Sequence, residues 1–120
     1  GVVAEDEATI DLPIARSTKD RKKMAVDPKG RNAVTHFKVL KRYDNYTLLE
    51  LKIDTGRTHQ IRVHMSAIGH YILGDTLYGV HDSKFKRQLL HAYKIKFIHP
   101  IKNTPVEYIA NIPDDIAKLI

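Results

Sequence analysis

The most informative stretch of the sequence is residues 54–64, which read Asp54-Thr55-Gly56-Arg57-Thr58-His59-Gln60-Ile61-Arg62-Val63-His64. A strand pattern runs here into a glycine-containing turn and then into the start of a helix. Basic and amide side chains gather where free backbone N–H groups and the positive end of a helix dipole also lie, a combination that suits a phosphate. Arg57 and Arg62 would lie about 140° apart on one ideal helix. We therefore expect these two arginines to have different tasks.

The patterns around this stretch predict a hairpin before it and a helix within it. Apolar and polar residues alternate over 33–43 and over 47–54, with turn residues at 44–45 between the two runs. In 58–68 the apolar residues recur at helical spacing, and Gly69 provides a C-terminal stop. We expect two antiparallel strands followed by a short amphipathic helix.

The remaining elements are short strands, a basic segment and a terminal helix. The strand pattern at 10–14 contains Pro13, which favours a sheet edge or a strand end. Residues 16–31 are rich in Lys and Arg and have little to bury, so a surface loop or an edge hairpin is expected. Further patterns predict two strands and a helix, at 89–98, 106–112 and 116–120. The order of elements predicts an α+β domain with a largely antiparallel sheet and short helices.

Composition limits the classes of function. The 20 Lys and Arg against 14 Asp and Glu leave a net charge of +6, which favours an anionic partner, although a solvated cationic surface explains it equally well. The sequence has no Cys, which excludes disulfides, thiolate metal sites and a Cys nucleophile. No run approaches the ~20 apolar residues of a membrane helix. The first seven residues are acidic rather than basic, so we expect no signal peptide and a cytoplasmic location.

The central stretch and the segments that follow it resemble the RluA-type RNA pseudouridine synthases, which convert uridine in RNA to its C-glycoside isomer. The matching segments are 55–64, 69–70, 72–75, 77–79, 89–92 and 97–100, with single matches at Gly30, Ala33 and Thr35. Tyr71 departs from the family pattern, which usually has Pro at that place. The resemblance implies the C-terminal half of the family's catalytic fold, an rRNA or tRNA substrate, and no cofactor.

One motif of that family does not occur in the sequence. The catalytic Asp of the family lies upstream, in an Arg-Leu-Asp motif followed by Thr-Ser-Gly, and residues 1–120 contain neither triplet. The triplet Asp54-Thr55-Gly56 is only a superficial echo, because it belongs to the later motif. The resemblance therefore implies that residues 1–120 are part of a pseudouridine synthase catalytic domain without its catalytic Asp segment. We expect this chain alone to be inactive.

The resemblance also implies roles for individual residues. In the family, an Arg matching Arg62 pairs with the catalytic Asp, and Arg suits this task because it stays charged and can bond a carboxylate through two N–H groups. Arg57 and His59 are then expected to contact backbone phosphates, although the two arginines could exchange roles. The other expected substrate-binding residues are Gln60 and, packing under the target base, Leu89 or Leu90.

Simpler explanations exist for several of these residues. Without the resemblance, Arg62 would be read as a surface residue that pairs with Asp54 or Asp75, and the segments 74–75 and 78–79 as ordinary turns. The histidines at 59 and 64 lack the spacing of a helical metal pair, so no metal site is expected. At the level of the whole chain, the alternative to an enzyme is a non-catalytic RNA-binding module.

Overall fold

The computed structural model describes residues 1–92, 94–98, 105–109 and 112–120. These residues form antiparallel strands and short helices, which confirms the predicted α+β class. In chain order the elements are β1 (Glu7–Asp11), β2 (Ile14–Arg16), β3 (Met24–Val26), β4 (Val34–Arg42), β5 (Thr47–Ile53), α1 (Gln60–Ala67), β6 (Lys94–Ile98), β7 (Pro105–Ile109) and α2 (Asp114–Ala117). The chain divides into two compact units, Gly1–Gln88 and Leu89–Ile120.

The main sheet of the first unit has the strand order β1-β4-β5. Strands β4 and β5 pair antiparallel from Thr35 opposite Ile53 to Arg42 opposite Thr47, which confirms the predicted hairpin. Thr35 and Phe37 are buried and Lys38 is exposed, as the alternation in the sequence requires.

The strand predicted at 10–14 is two strands. β1 ends at Asp11 and β2 begins at Ile14, with Pro13 between them. Proline has no backbone N–H to donate to a ladder. β2 then pairs antiparallel with β3, Ile14 opposite Val26, so the basic segment forms the edge hairpin that its composition favoured. We call residues 14–26 the basic hairpin.

Helix α1 begins two residues later than predicted, because His59 has a left-handed backbone with φ 55°. At the other end, Gly69 has φ 85°, its N–H donates to the carbonyl of Ser66, and the N–H of His70 donates to the carbonyl of Met65. These two bonds form a Schellman motif, which glycine favours because it adopts positive φ without a steric penalty.

Two apolar clusters hold the first unit together. The larger contains Val3, Ile10, Phe37 and Met65, and therefore joins β1, β4 and α1. The smaller has Ile14, Ala33 and Val63 at its centre, with Met24 and Tyr78 packed against it. The smaller cluster fixes the basic hairpin against α1.

The second unit contains a hairpin and a helical turn. β6 pairs antiparallel with β7, which confirms a hairpin shorter than the predicted one. The predicted turn residues 99–104 lie outside the described residues. Leu89 and Leu90 precede β6 rather than lying in it. α2 follows Pro113 with Asp114 and Asp115 in its first turn, as predicted. Within the described part of the chain, no helix is long and apolar enough to cross a membrane.

Candidate functional site

Arg62 on α1 is held by Asp75. Its Nε donates to Oδ2 of Asp75 at 2.9 Å and its Nη2 donates to Oδ1 at 2.9 Å. The side chain of Asp75 is fully buried, whereas 16% of the Arg62 side chain is exposed. Of the two partners that the simpler explanation offered, the structure selects Asp75, since Asp54 bonds His36 at 2.7 Å instead.

Asp75 also holds the turn that follows it. Its Oδ1 accepts from the backbone N–H groups of Leu77 and Tyr78, both at 3.1 Å. Burial alone would raise the pKa of Asp75, but the bonds from Arg62 and from these N–H groups outweigh it and place that pKa below its ordinary value. The carboxylate is therefore ionised at neutral pH. The sequence identified Asp75 as a turn residue and gave no signal for its arginine partner except opposite charge.

Tyr78 connects three parts of the site. Its ring lies 5.2 Å from Cζ of Arg62, and its hydroxyl lies 2.7 Å from Nδ1 of His59. The same hydroxyl accepts from the backbone N–H of Met24 in the basic hairpin at 2.9 Å. Because the Met24 N–H can only donate, the hydroxyl proton is free to be donated to Nδ1 of His59. A neutral His59 then carries its own proton on Nε2.

The surroundings of His59 favour this neutral form. Partial burial lowers the pKa of the imidazole, and the positive charges of Arg62 and Arg16 lower it further, against an opposing effect of Asp75. The left-handed backbone of His59 places the side chain at the junction between the turn and α1. Its predicted position at the helix start is therefore confirmed, while its contact with RNA stays a prediction.

Gln60 has a position that corrects its expected role in direct substrate binding. The residue is only 3% exposed. Its Nε2 donates to the carbonyl of Val34 and to Oγ1 of Thr35, both at 3.0 Å. Its Oε1 accepts from Oγ1 of Thr55 at 2.7 Å and from the backbone N–H of Arg57 at 3.0 Å. The amide is fully used within the protein, so Gln60 shapes the loop that carries Arg57.

The buried network continues from Gln60 to His64. Oγ1 of Thr35 lies 2.8 Å from Nδ1 of His64, and Nε2 of His64 lies 2.9 Å from the carbonyl oxygen of Leu12. Since a carbonyl only accepts, Nε2 carries the proton and Nδ1 accepts from the Thr35 hydroxyl. His64 is therefore a satisfied core residue that ties α1 to the sheet.

Arg57 lies in different surroundings from Arg62. Its Nε donates to the carbonyl of Asn32 at 2.8 Å, and its two Nη groups have no partner among the described residues. The side chain is thus anchored near its middle with the charged end available. The structure brings Arg57 and His59 onto the turn before α1 and places Arg62 within the helix. Leu89 and Leu90 belong to the second unit.

The basic hairpin adds positive charge beside this site. Its exposed cations are Arg16, Lys19, Arg21 and Lys22. Nη1 of Arg16 donates to the carbonyl of Arg21 at 2.8 Å, which fixes the hairpin's connecting loop. The hairpin touches the site directly through the bond from Met24 to Tyr78. The arrangement can bind an extended anion next to Arg62.

Comparisons with known proteins give a consistent result. Residues 2–67, which include Arg57, His59 and Arg62, match the family model described as RNA pseudouridylate synthase. The chain is 49% identical over its full length to the uncharacterized RNA pseudouridine synthase YlyB of Bacillus subtilis, covering 40% of that protein. It is 44% identical to ribosomal large subunit pseudouridine synthase D of Haemophilus influenzae, with 93% of this chain and 39% of that protein covered. The chain spans about two fifths of the length of these curated relatives.

Proposed function

This chain belongs to the RNA pseudouridylate synthase family, and on that premise we propose that it is the RNA-facing, C-terminal part of an enzyme that isomerises uridine to pseudouridine in structured RNA. The observation that carries the proposal is Arg62, a partly exposed cation held in one orientation beside a basic hairpin. Ribosomal RNA is the first candidate substrate, because relatives at 40–44% identity are named for the large ribosomal subunit. Transfer RNA is the second.

In the proposed enzyme, Arg62 pairs with a catalytic Asp that lies outside residues 1–120. Asp75 occupies Nε and Nη2 of Arg62, and Nη1 has no partner among the described residues. Arg62 can therefore accept a second carboxylate without leaving the first. Such pairing would keep the catalytic carboxylate ionised and fix its direction toward the target nucleotide.

The remaining residues would hold the RNA. A uridine inside a structured region has to be extruded before its glycosidic bond can be attacked, so the flanking backbone must be gripped. Arg57 offers free Nη groups, His59 offers an Nε2–H donor, and the basic hairpin supplies further charge. Leu89 or Leu90 would pack under the target base. The reaction as proposed needs no cofactor.

The second candidate function is a non-catalytic RNA-binding module. The basic hairpin favours it equally, because phosphate contacts require charge and no chemistry. The encoding reading frame separates the two, since upstream sequence with an Arg-Leu-Asp motif supports the enzyme. A native start near Gly1 supports the module.

An isomerisation assay tests the proposed function. The complete protein and residues 1–120 alone would each be incubated with ribosomal RNA transcripts, and pseudouridine would be measured. We expect conversion by the complete protein and none by residues 1–120 above a no-protein control. Conversion by residues 1–120 would mean that the nucleophile lies within them. No conversion of any ribosomal or transfer RNA by the complete protein, together with RNA binding, would favour the module.

A further inference from the structure

We infer that Asp75 is a positioning residue, which holds Arg62 by one edge of its guanidinium and presents the other edge to a second carboxylate. The inference rests on the proposed function and deepens it by naming the residue that aims Arg62. Asp75 lies beyond residues 2–67, the segment that the family model matches. The sequence alone identified it only as a turn residue.

The first step is the geometry of the guanidinium. Arginine presents a planar fork with two edges that can each take a carboxylate. Asp75 fills the edge formed by Nε and Nη2, at 2.9 Å to each nitrogen. The edge formed by Nη1 and the second N–H of Nη2 has no partner among the described residues. Because Asp75 is fully buried, all the exposed surface of this ion pair belongs to Arg62.

The second step is the rigidity of Asp75 itself. Its Oδ1 accepts from the N–H groups of Leu77 and Tyr78, so the carboxylate cannot rotate freely. Gly74 before it has φ 80°, and a Cβ there would collide with the backbone carbonyl of Arg87. The ring of Tyr78 covers the face of the Arg62 guanidinium. Arg62 therefore takes its direction from a fixed turn rather than from its own flexible side chain.

The third step is electrostatic. The charged and titratable groups that surround the pair are His59 before α1, Arg16 on the basic hairpin and Tyr78 in the turn. A carboxylate that shares Arg62 with Asp75 has a higher pKa than one that has the guanidinium alone. Removing the charge of Asp75 should therefore move the acidic limb of the pH–rate profile to lower pH. A residue that only caps a turn would not produce this shift.

Asp75→Asn separates the two roles, because the amide oxygen can still accept from both turn N–H groups while the charge is lost. In the complete protein, single-turnover isomerisation at saturating enzyme should fall on the order of 10- to 100-fold, as for a small misplacement of a catalytic group. RNA affinity should stay unchanged and the acidic limb should shift downward. Asp82→Asn is the matched control, since Asp82 caps an exposed turn through Oδ1 and the N–H of Lys84 at 3.0 Å.

A second measurement on the parent protein does not depend on how any variant folds. The Nε–H signal of Arg62 should be resolved and slow to exchange in nitrogen-15 NMR spectra, in contrast to that of exposed Arg21. An Arg62 signal that averages like that of Arg21 overturns the inference. So does Asp75→Asn that folds and reacts at the parent rate with an unmoved acidic limb. If Arg62→Ala also reacts at the parent rate, the proposed function fails; if Arg62→Ala alone is impaired, only the inference fails.

Discussion

His59 lies between opposite charges, which makes its pKa a sensitive probe of the site. Its imidazole is near Arg62, which lowers its pKa, and near Asp75, which raises it. Because the folded-state pKa is below 6.5, the folded protein resists protonation of His59, and this residue's contribution to stability is lost as pH falls below that value.

We predict opposite shifts for two variants. Arg62→Ala removes a positive neighbour and should raise the pKa of His59, whereas Asp75→Asn removes a negative neighbour and should lower it. An NMR titration of the His59 ring measures both. Arg57→Ala, in the same loop, should leave the pKa nearly unchanged. Shifts in the same direction for Arg62→Ala and Asp75→Asn would show that the charges do not act on His59 as described.

Gln60 gives a test of the buried network. Gln60→Leu preserves approximate volume but leaves the Thr55 hydroxyl and the carbonyl of Val34 without their partner. We expect unfolding free energy to fall by about 1–3 kcal/mol, the usual cost of unsatisfied buried polar groups. Chemical denaturation measures the change. Thr58→Val in the same exposed loop is the control, and equal stability of Gln60→Leu and the parent would contradict the assigned role.

Single residues also show the limit of what sequence can predict. Asp75 was an open alternative for Arg62, but the choice between Asp75 and Asp54 required the tertiary fold. The bond from Tyr78 to His59 joins residues 19 positions apart, and no local pattern announces it. Gln60 was expected on the surface because it follows His59 in a polar run. It is buried because the left-handed backbone at His59 turns the next side chain toward the sheet.

At the scale of elements, periodicity was informative wherever one face of an element is buried. The β4–β5 hairpin was predictable because its inward side chains alternate. Helix α1 was predictable in its body, since Met65 is buried and Ile61 is partly buried, but its start was not, because histidine seldom signals a left-handed backbone. The strand at 10–14 split at Pro13 for want of an N–H.

The basic hairpin is the element whose function is simplest to test. We predict RNA binding whose affinity falls with salt, with a log–log slope that increases in magnitude by roughly 0.7 for each phosphate contact to single-stranded RNA. Replacing Arg21 and Lys22 together by Gln should reduce the slope by up to two such contacts. Lys52→Gln on β5 is the control. Affinity that is unchanged between low and physiological salt would contradict electrostatic binding by this hairpin.

At the scale of the whole molecule, the family and the general class of fold were predictable, because a long ordered motif and the strand patterns are both visible in the sequence. The arrangement of the site was less so. Arg57 and Arg62 were expected to differ, and the structure gives them different partners, Asn32 and Asp75. Their tasks in catalysis remain the central claim. Leu89 and Leu90 lie in the second unit, so their role depends on the complete enzyme.

The most direct test compares these two arginines in the complete protein by single-turnover isomerisation at saturating enzyme, where binding defects vanish and chemical defects persist. We predict that Arg62→Ala reacts far more slowly than the parent and that Arg62→Lys, which keeps the charge but loses the planar fork, stays strongly impaired. Arg57→Ala should bind RNA more weakly yet approach the parent rate at saturation. Arg62→Ala reacting at the parent rate while Arg57→Ala stays slow would contradict the account and reverse the two roles.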